Sequence, residues 1–333
     1  MEVSNIDKSG MKQVIKDFPL QLEAGLELAK DLNLKGKFKN VVVCGLGGSA
    51  LPADITVALE PKLALSVHRD YDLPTSATKE SLIICISYSG NTEETLSAFA
   101  EALKQGFSII GIASGGKIEA LCQANGLPFI KIPGGIQPRS ALGYMLSTLI
   151  AILEKVDLIK NLSDKISNAV QILQEACPAL EKEGQQLAKK LIGKIPVIYA
   201  AHADESAAIA RIWKIKFNEN SKIPAFYNYL PELNHNEMVG YMQAQKVGGQ
   251  HISVIILKDN SCNERIQKRI NLTDSLIKKS GIECQIIELR GNILLDKIFL
   301  SLLLADWTSY YLALEYGVDP TPVEIVEEFK KLL

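Results

Sequence analysis

The chain has 333 residues, of which 47% are hydrophobic and 22% charged. A single core seldom grows past roughly 250–300 residues, so two domains are expected, and the apolar content excludes a disordered chain. Thirty-six basic against 38 acidic residues leave a net charge of −2, which makes no electrostatic case for nucleic acid or an anionic membrane surface.

The first residues, Met1-Glu2-Val3-Ser4-Asn5, carry neither a basic segment nor an apolar core, so no signal peptide is visible. Residues 8–33 read as helices interrupted at Pro19. Asn40–Cys44 is a continuous apolar run ending in Gly45-Leu46-Gly47-Gly48-Ser49, a buried strand feeding a glycine turn and a helix over 50–60. Strands follow at 65–68 and 81–87. Then come a helix over 93–105, a strand over 108–113, a helix over 117–125 and a strand over 128–132. Strictly alternating strands and helices imply a parallel sheet covered on both faces. The apolar stretch 141–153 is shorter than the ~18 residues of a membrane-spanning helix. It and residues 162–191 read as helices.

The pattern then restarts. A strand over 195–200 leads to a turn at 201–204 and a helix over 207–218. Strands are expected at 225–229, 251–257 and 283–289, and helices at 264–279, 292–316 and 322–332. The same architecture is used twice, with a boundary near residue 155. One domain spans 1–155 and the other 156–333. The six cysteines, at positions 44, 85, 122, 177, 262 and 284, form no Cys-x-x-Cys pair and read as reduced core thiols. The four histidines form no ligand pair, so no metal site is expected. The chain reads as cytoplasmic.

Ser87-Tyr88-Ser89-Gly90-Asn91-Thr92 lies between a strand and a helix. A helix N-terminus offers unpaired N–H groups and partial positive charge. Ser87, Ser89 and Thr92 add hydroxyls, and Gly90 lets the backbone fold close. The segment suits a phosphomonoester without a lysine. A plain cap by Asn91 or Thr92 explains one hydroxyl but not three around a glycine. The glycine turn, including Gly48 and Ser49, lacks the third glycine of a dinucleotide fingerprint, because Ala50 stands there. Both loops fall at carboxyl ends of parallel strands, where open α/β sheets bind ligands.

The two loops together resemble the sugar isomerase (SIS) domain. Three further segments narrow the resemblance. They are Gln137-Pro138-Arg139-Ser140-Ala141-Leu142-Gly143-Tyr144, Lys216-Phe217-Asn218-Glu219-Asn220, and Glu232-Leu233-Asn234-His235-Asn236-Glu237. In that order they resemble the bifunctional phosphoglucose/phosphomannose isomerases over residues 40–333.

The resemblance implies two SIS-type α/β/α sandwich domains, each a parallel sheet flanked by helices. The first would carry the phosphate loops and the second a catalytic glutamate and histidine. It implies interconversion of glucose 6-phosphate, and of mannose 6-phosphate, with fructose 6-phosphate through a cis-enediol. No metal or other cofactor is required.

An arginine fork can stabilise a developing oxyanion, and the family makes Arg139 the enediolate clamp. Proton transfer between C1 and C2 needs one carboxylate base, which the family makes Glu219. Ring opening needs an acid/base near pH 7, which the family makes His235. A substrate-facing lysine near the C-terminus fits Lys330. The isomerases resembled are two-fold dimers in which the neighbouring subunit lends the histidine, so a homodimer with a shared site is expected. The competing readings are a non-catalytic sugar-phosphate-binding SIS regulator and an amidotransferase-type isomerase. The former would carry a DNA-binding domain or basic face. The latter needs an N-terminal cysteine nucleophile, whereas the first cysteine here is Cys44 inside a strand.

Overall fold

The computed structural model describes residues 6–34, 36–201 and 207–333. Apolar runs become strands β1 (Asn40–Cys44), β2 (Leu65–His68), β3 (Ser81–Ile86), β4 (Ser108–Ala113) and β5 (Phe129–Lys131). They form one parallel sheet in the order β2-β1-β3-β4-β5. The accompanying helices are α1 (Met11–Lys16), α2 (Phe18–Leu28), α3 (Leu51–Leu59), α4 (Glu93–Gln105), α5 (Gly116–Ala124), α6 (Leu142–Lys155) and α7 (Leu162–Lys190). Every residue of the central strand β3 is buried, as expected for a strand covered on both faces. Val42, Ile83 and Ile109 share a register row, and that face packs on Ala98 and Phe99 of α4 and on Ile118 and Cys122 of α5. Away from it, α2 lies so close to α6 that Thr148 Oγ1 donates to the Gly25 carbonyl at 3.0 Å.

The second sheet contains β6 (Ile195–Ala201), β7 (Phe226–Leu230), β8 (Ile252–Lys258) and β9 (Glu283–Glu288), all parallel, in the order β7-β6-β8-β9. This order repeats β2-β1-β3-β4 of the first sheet. Its helices are α8 (Ala207–Lys216), α9 (Glu237–Gly240), α10 (Glu264–Lys279), α11 (Leu294–Glu315) and α12 (Glu324–Leu332). Val197, Tyr199, Val254 and Ile256 pack on Ile270 and Ile277 of α10. Helix α8 covers β6 and β7 from the opposite side and is itself backed by α11. Two parallel-sheet sandwiches are therefore present.

Two compact units emerge: Asp17–Gln174, and Met1–Lys16 together with Glu175–Leu333. The division falls inside α7 rather than near residue 155, because that helix runs unbroken from Leu162 to Lys190 through Pro178. The N-terminal stretch joins the second unit. Asp7 accepts the Tyr310 hydroxyl at 3.1 Å, and Lys12 pairs with Glu181 at 2.7 Å.

Pro19 opens α2 rather than interrupting it. It sits in the first turn, where its missing N–H has no intrahelical partner to lose. The turn expected at 201–204, with His202, lies outside the described residues apart from Ala201. Among the described residues no helix is long and apolar enough to cross a membrane.

Candidate active site

In the unit Asp17–Gln174, three loops converge at the carboxyl ends of β1 and β3. The glycine turn after β1 closes as a 3-10 turn over Gly47–Ser49. The Ser49 hydroxyl, nearly buried, accepts the Tyr88 N–H at 3.0 Å and so joins this loop to the serine loop after β3. A Cβ on Gly48 would lie 2.6 Å from the Arg139 amide nitrogen, so only glycine lets the third segment, the turn Pro138–Ser140, come so near. Gly90 has φ +68°, and a Cβ there would lie 1.8 Å from the Gly115 carbonyl oxygen. An L side chain is excluded on both counts.

Thr92 occupies the N-cap position of α4, yet its side chain makes no cap hydrogen bond. Its hydroxyl instead pairs with the Ser87 hydroxyl at 2.8 Å, and its N–H donates to Ser87 Oγ at 3.3 Å. The amides at the start of α4 are therefore not closed off by a side chain, which leaves the donor end of the helix available to an anion. Glu93 and Glu94 of the first turn also favour this helix end. The hydroxyls divide into two kinds. Ser87 is fully buried and orients Thr92, whereas Ser89 is exposed, its Oγ accepting the Asn91 N–H at 3.2 Å.

Tyr88 is not among the residues that the sequence singles out, yet it ties the serine loop to the loop that leads to Arg139. Its hydroxyl donates to the Pro133 carbonyl at 3.1 Å and accepts the Ile136 N–H at 3.1 Å. Burial raises the phenol above its ordinary value against the opposing effect of the Ile136 N–H, so it keeps its proton and both bonds. The Pro133–Ile136 loop leads directly to Arg139, which is fully buried.

In the other unit, α8 does not continue to 218 as expected. It ends at Lys216 and passes into a π-helical turn, Phe217–Ser221, with Glu219 at its centre and half-buried. Such wide turns are rare and recur at functional sites. The flanking asparagines pin the turn. Asn218 Nδ2 donates to the Ile223 carbonyl at 2.9 Å, and Asn220 Nδ2 donates to Ser309 Oγ of α11 at 2.9 Å. Ser221 Oγ donates to the Ser309 carbonyl at 2.7 Å. Lys222, at φ +60°, turns its ammonium back onto the Glu219 carbonyl and onto that of Pro320. The Lys216 ammonium, only 2% exposed, pairs with Asp306 at 2.6 Å, so α8 is anchored on α11 just before the turn begins.

His235 ends a 3-10 turn, Glu232–His235, immediately before α9, and is exposed. Lys330 lies in the last turn of α12, 58% exposed, with its ammonium 2.9 Å from Glu327 Oε1. The chain thus brings Gly48, Ser49, Ser87, Ser89, Thr92 and Arg139 together in one unit and carries Glu219, His235 and Lys330 in the other. Among the described residues no three His, Cys, Asp or Glu side chains converge to hold a metal ion.

The first unit thus carries an uncapped helix end beside three hydroxyls, and the second carries a carboxylate on a π turn and an exposed imidazole. Residues 180–333 match the bacterial phospho-glucose isomerase C-terminal SIS domain. A bifunctional phosphoglucose/phosphomannose isomerase of Caldicellulosiruptor bescii is 35% identical, covering 97% of this chain and 98% of that protein. Its namesake from Aquifex aeolicus is 34% identical, over 96% of this chain and 97% of that one. Among solved structures, a hypothetical protein from Thermus thermophilus superposes with a TM-score of 0.77 at 15% identity, covering 96% of this chain and 88% of that one, which speaks for the fold alone. With relatives this similar along nearly the whole sequence, the chain belongs to the bifunctional phosphoglucose/phosphomannose isomerase family.

Proposed function

We propose that this chain interconverts glucose 6-phosphate, and mannose 6-phosphate through the same cis-enediol, with fructose 6-phosphate. The observation that carries the reading is the convergence of the Gly45–Ser49, Ser87–Thr92 and Pro138–Ser140 segments into one uncapped anion cup. The full-length similarity to isomerases of that name supports it.

The phosphate enters the cup, held by amides at the start of α4 and by the hydroxyls of Ser49, Ser89 and Thr92, while Ser87 orients Thr92. His235 moves the proton that opens the sugar ring. Glu219 takes the proton from one carbon of the C1–C2 pair and returns it to the other. The negative charge that develops on oxygen is stabilised by the Arg139 guanidinium. Substrates epimeric at C2 share the intermediate and differ in the face reprotonated. Lys330 reaches substrate only if its Glu327 pair opens.

The working form is a homodimer in which each copy lends His235 to the other. The exposed imidazole supports this, as do the exposed Val239, Met242 and Val247 that follow it. The six free thiols suit a reducing compartment such as the cytoplasm. A non-catalytic sugar-phosphate binder would leave the Glu219 carboxylate on its π turn without use.

The test is a coupled assay on glucose 6-phosphate and mannose 6-phosphate in parallel, with wild-type protein and Glu219→Gln. Loss of the base costs ~10²–10⁴-fold in turnover. Competitive inhibition by inorganic phosphate should persist. Near-normal turnover of Glu219→Gln would place the base elsewhere.

A further inference from the structure

The segment that carries His235 is fastened to the second sheet by a polar clamp. Tyr199 of β6 and Asn228 of β7 are register partners, so their side chains stand next to one another on one face. Both reach Glu237, two residues beyond His235. The Tyr199 hydroxyl donates to Glu237 Oε1 at 2.5 Å, and Asn228 Nδ2 donates to Oε2. The Asn228 amide is itself oriented, because its Oδ1 accepts the Tyr229 N–H at 2.8 Å.

Tyr199 and Tyr241 lie 2.5 Å apart, oxygen to oxygen. A phenol has one proton, and that of Tyr199 goes to Glu237, so the Tyr241 hydroxyl must donate to Tyr199. Burial pushes the Tyr241 phenol up to about 12, and burial together with Tyr241 and Glu237 pushes Tyr199 still higher, so the relay keeps its protons across the working range. Tyr199 is fully buried and Tyr241 nearly so. Polar groups so buried are costly unless satisfied, and once satisfied they fix one arrangement.

The other neighbours of His235 are tied as well. Asn234 Nδ2 donates to Thr273 Oγ1 at 2.9 Å, and Arg269 donates to its Oδ1 at 3.2 Å. Asn236 Oδ1 caps α9 by accepting the Glu237 N–H at 2.6 Å. The exposed imidazole therefore projects from a backbone held on either side.

We propose that Glu237 is a positioning residue for His235, acting through Tyr199, Asn228 and Tyr241; this rests on the reading of His235 as the ring-opening group. Removing the carboxylate releases α9 from the sheet and lets the imidazole wander. A misplacement on the order of 1 Å can cost about 10²-fold, and a partial release of the turn should cost about tenfold in kcat. The phosphate cup lies in the other unit, so KM and inhibition by inorganic phosphate should stay nearly unchanged. Glu237→Gln should recover part of the loss, because its carbonyl oxygen still accepts from Tyr199.

The experiment follows anomer exchange of glucose 6-phosphate by exchange NMR in wild type, His235→Ala, Glu237→Ala, Glu237→Gln, Tyr199→Phe and the His235→Ala/Glu237→Ala double variant. Hydrogen exchange of residues 232–240 is followed in parallel. Tyr199→Phe keeps the ring volume and serves if Glu237→Ala does not fold. The expected result is slowed anomer exchange in Glu237→Ala and, less so, in Tyr199→Phe, with faster hydrogen exchange confined to 232–240. The double variant should be no slower than His235→Ala alone. If His235→Ala is slow but the clamp variants are not, or if the two defects multiply, the proposal fails while the role of His235 stands. If His235→Ala itself keeps wild-type anomer exchange, the role of His235 fails and the proposal falls with it.

Discussion

Ser49 does two things with one hydroxyl. Its oxygen accepts the Tyr88 N–H at 3.0 Å, and its own proton remains to be donated to an anion. Ser49→Ala therefore leaves a buried amide without its acceptor and removes the proposed donor to the phosphate. The first loss costs about 1–3 kcal/mol of stability, and the second, ~1.5–3 kcal/mol, weakens phosphate binding about ten- to hundredfold. Denaturant unfolding and the inhibition constant for inorganic phosphate check the two separately. A variant as stable as wild type with unchanged phosphate inhibition would remove Ser49 from the cup.

These loop residues are legible in the sequence because their chemistry is local: three hydroxyls and a glycine follow one strand within a few positions. Tyr88 is not, because its partners Pro133 and Ile136 lie 45 and 48 residues away along the chain. The division between Ser87, which orients, and Ser89, which faces solvent, is equally invisible, since strand exit decides which hydroxyl turns inward. For Lys330, the spacing to Glu327 on one helix face signals the i,i+3 ion pair that the structure contains.

At the level of elements, the strands are readable as short apolar runs and the helices as the polar-apolar stretches between them. The switch from α to π geometry at Phe217 is not. No propensity distinguishes it, and it is imposed by what α11 offers opposite. Ser309 Oγ takes the Asn220 amide at 2.9 Å, its carbonyl takes the Ser221 hydroxyl at 2.7 Å, and its own proton goes to the Ala305 carbonyl at 2.8 Å. Ser309→Ala keeps the helix but withdraws the acceptor from a buried amide, at a cost of about 1–3 kcal/mol. Since the π turn carries Glu219, the proposed base, kcat should fall while KM changes little, the proposed phosphate contacts being made elsewhere. Steady-state kinetics beside a denaturation curve tests this. A variant with lowered stability and unaltered kcat would show that Ser309 holds the turn without holding the carboxylate.

On the scale of the whole chain, a boundary near residue 155 rests on a pause between helical segments, and α7 carries no composition change to mark the division inside it. Sequence order alone assigns the N-terminal stretch to the first half, whereas its partners come from near the other end. Lys12 and Lys16 approach Glu181, and Tyr311 donates to Glu181 at 2.6 Å. Burial alone would raise the Glu181 carboxyl, but hydrogen bonds from Lys12 and Tyr311 outweigh it and hold the carboxyl below the usual glutamate range. A lowered acid stabilises the fold above its ordinary pKa, and that contribution is lost as pH falls through the folded-state value. Glu181→Gln should thus be less stable than wild type near neutrality by about 1 kcal/mol, given partial exposure, with the difference vanishing in acid. Thermal unfolding against pH reads this, and a pH-independent difference would assign the effect to packing.

His235 is exposed, and Val239, Met242 and Val247 of the same connection between β7 and β8 are 65%, 74% and 80% exposed. Exposed apolar side chains beside His235 suit the proposed cover by a second copy, and a two-fold interface would make each copy both donor and recipient. Mixing Glu219→Gln with His235→Ala under conditions of subunit exchange decides between sharing and self-sufficiency. If His235 acts in trans, a mixed dimer has one site with both defects and one with neither. Half of randomly formed dimers are mixed, so roughly a quarter of wild-type activity returns. If His235 acts within its own chain, each site of a mixed dimer keeps one defect and no activity returns. Failure to complement, with exchange verified by a mass label on one variant, would restrict each site to a single chain.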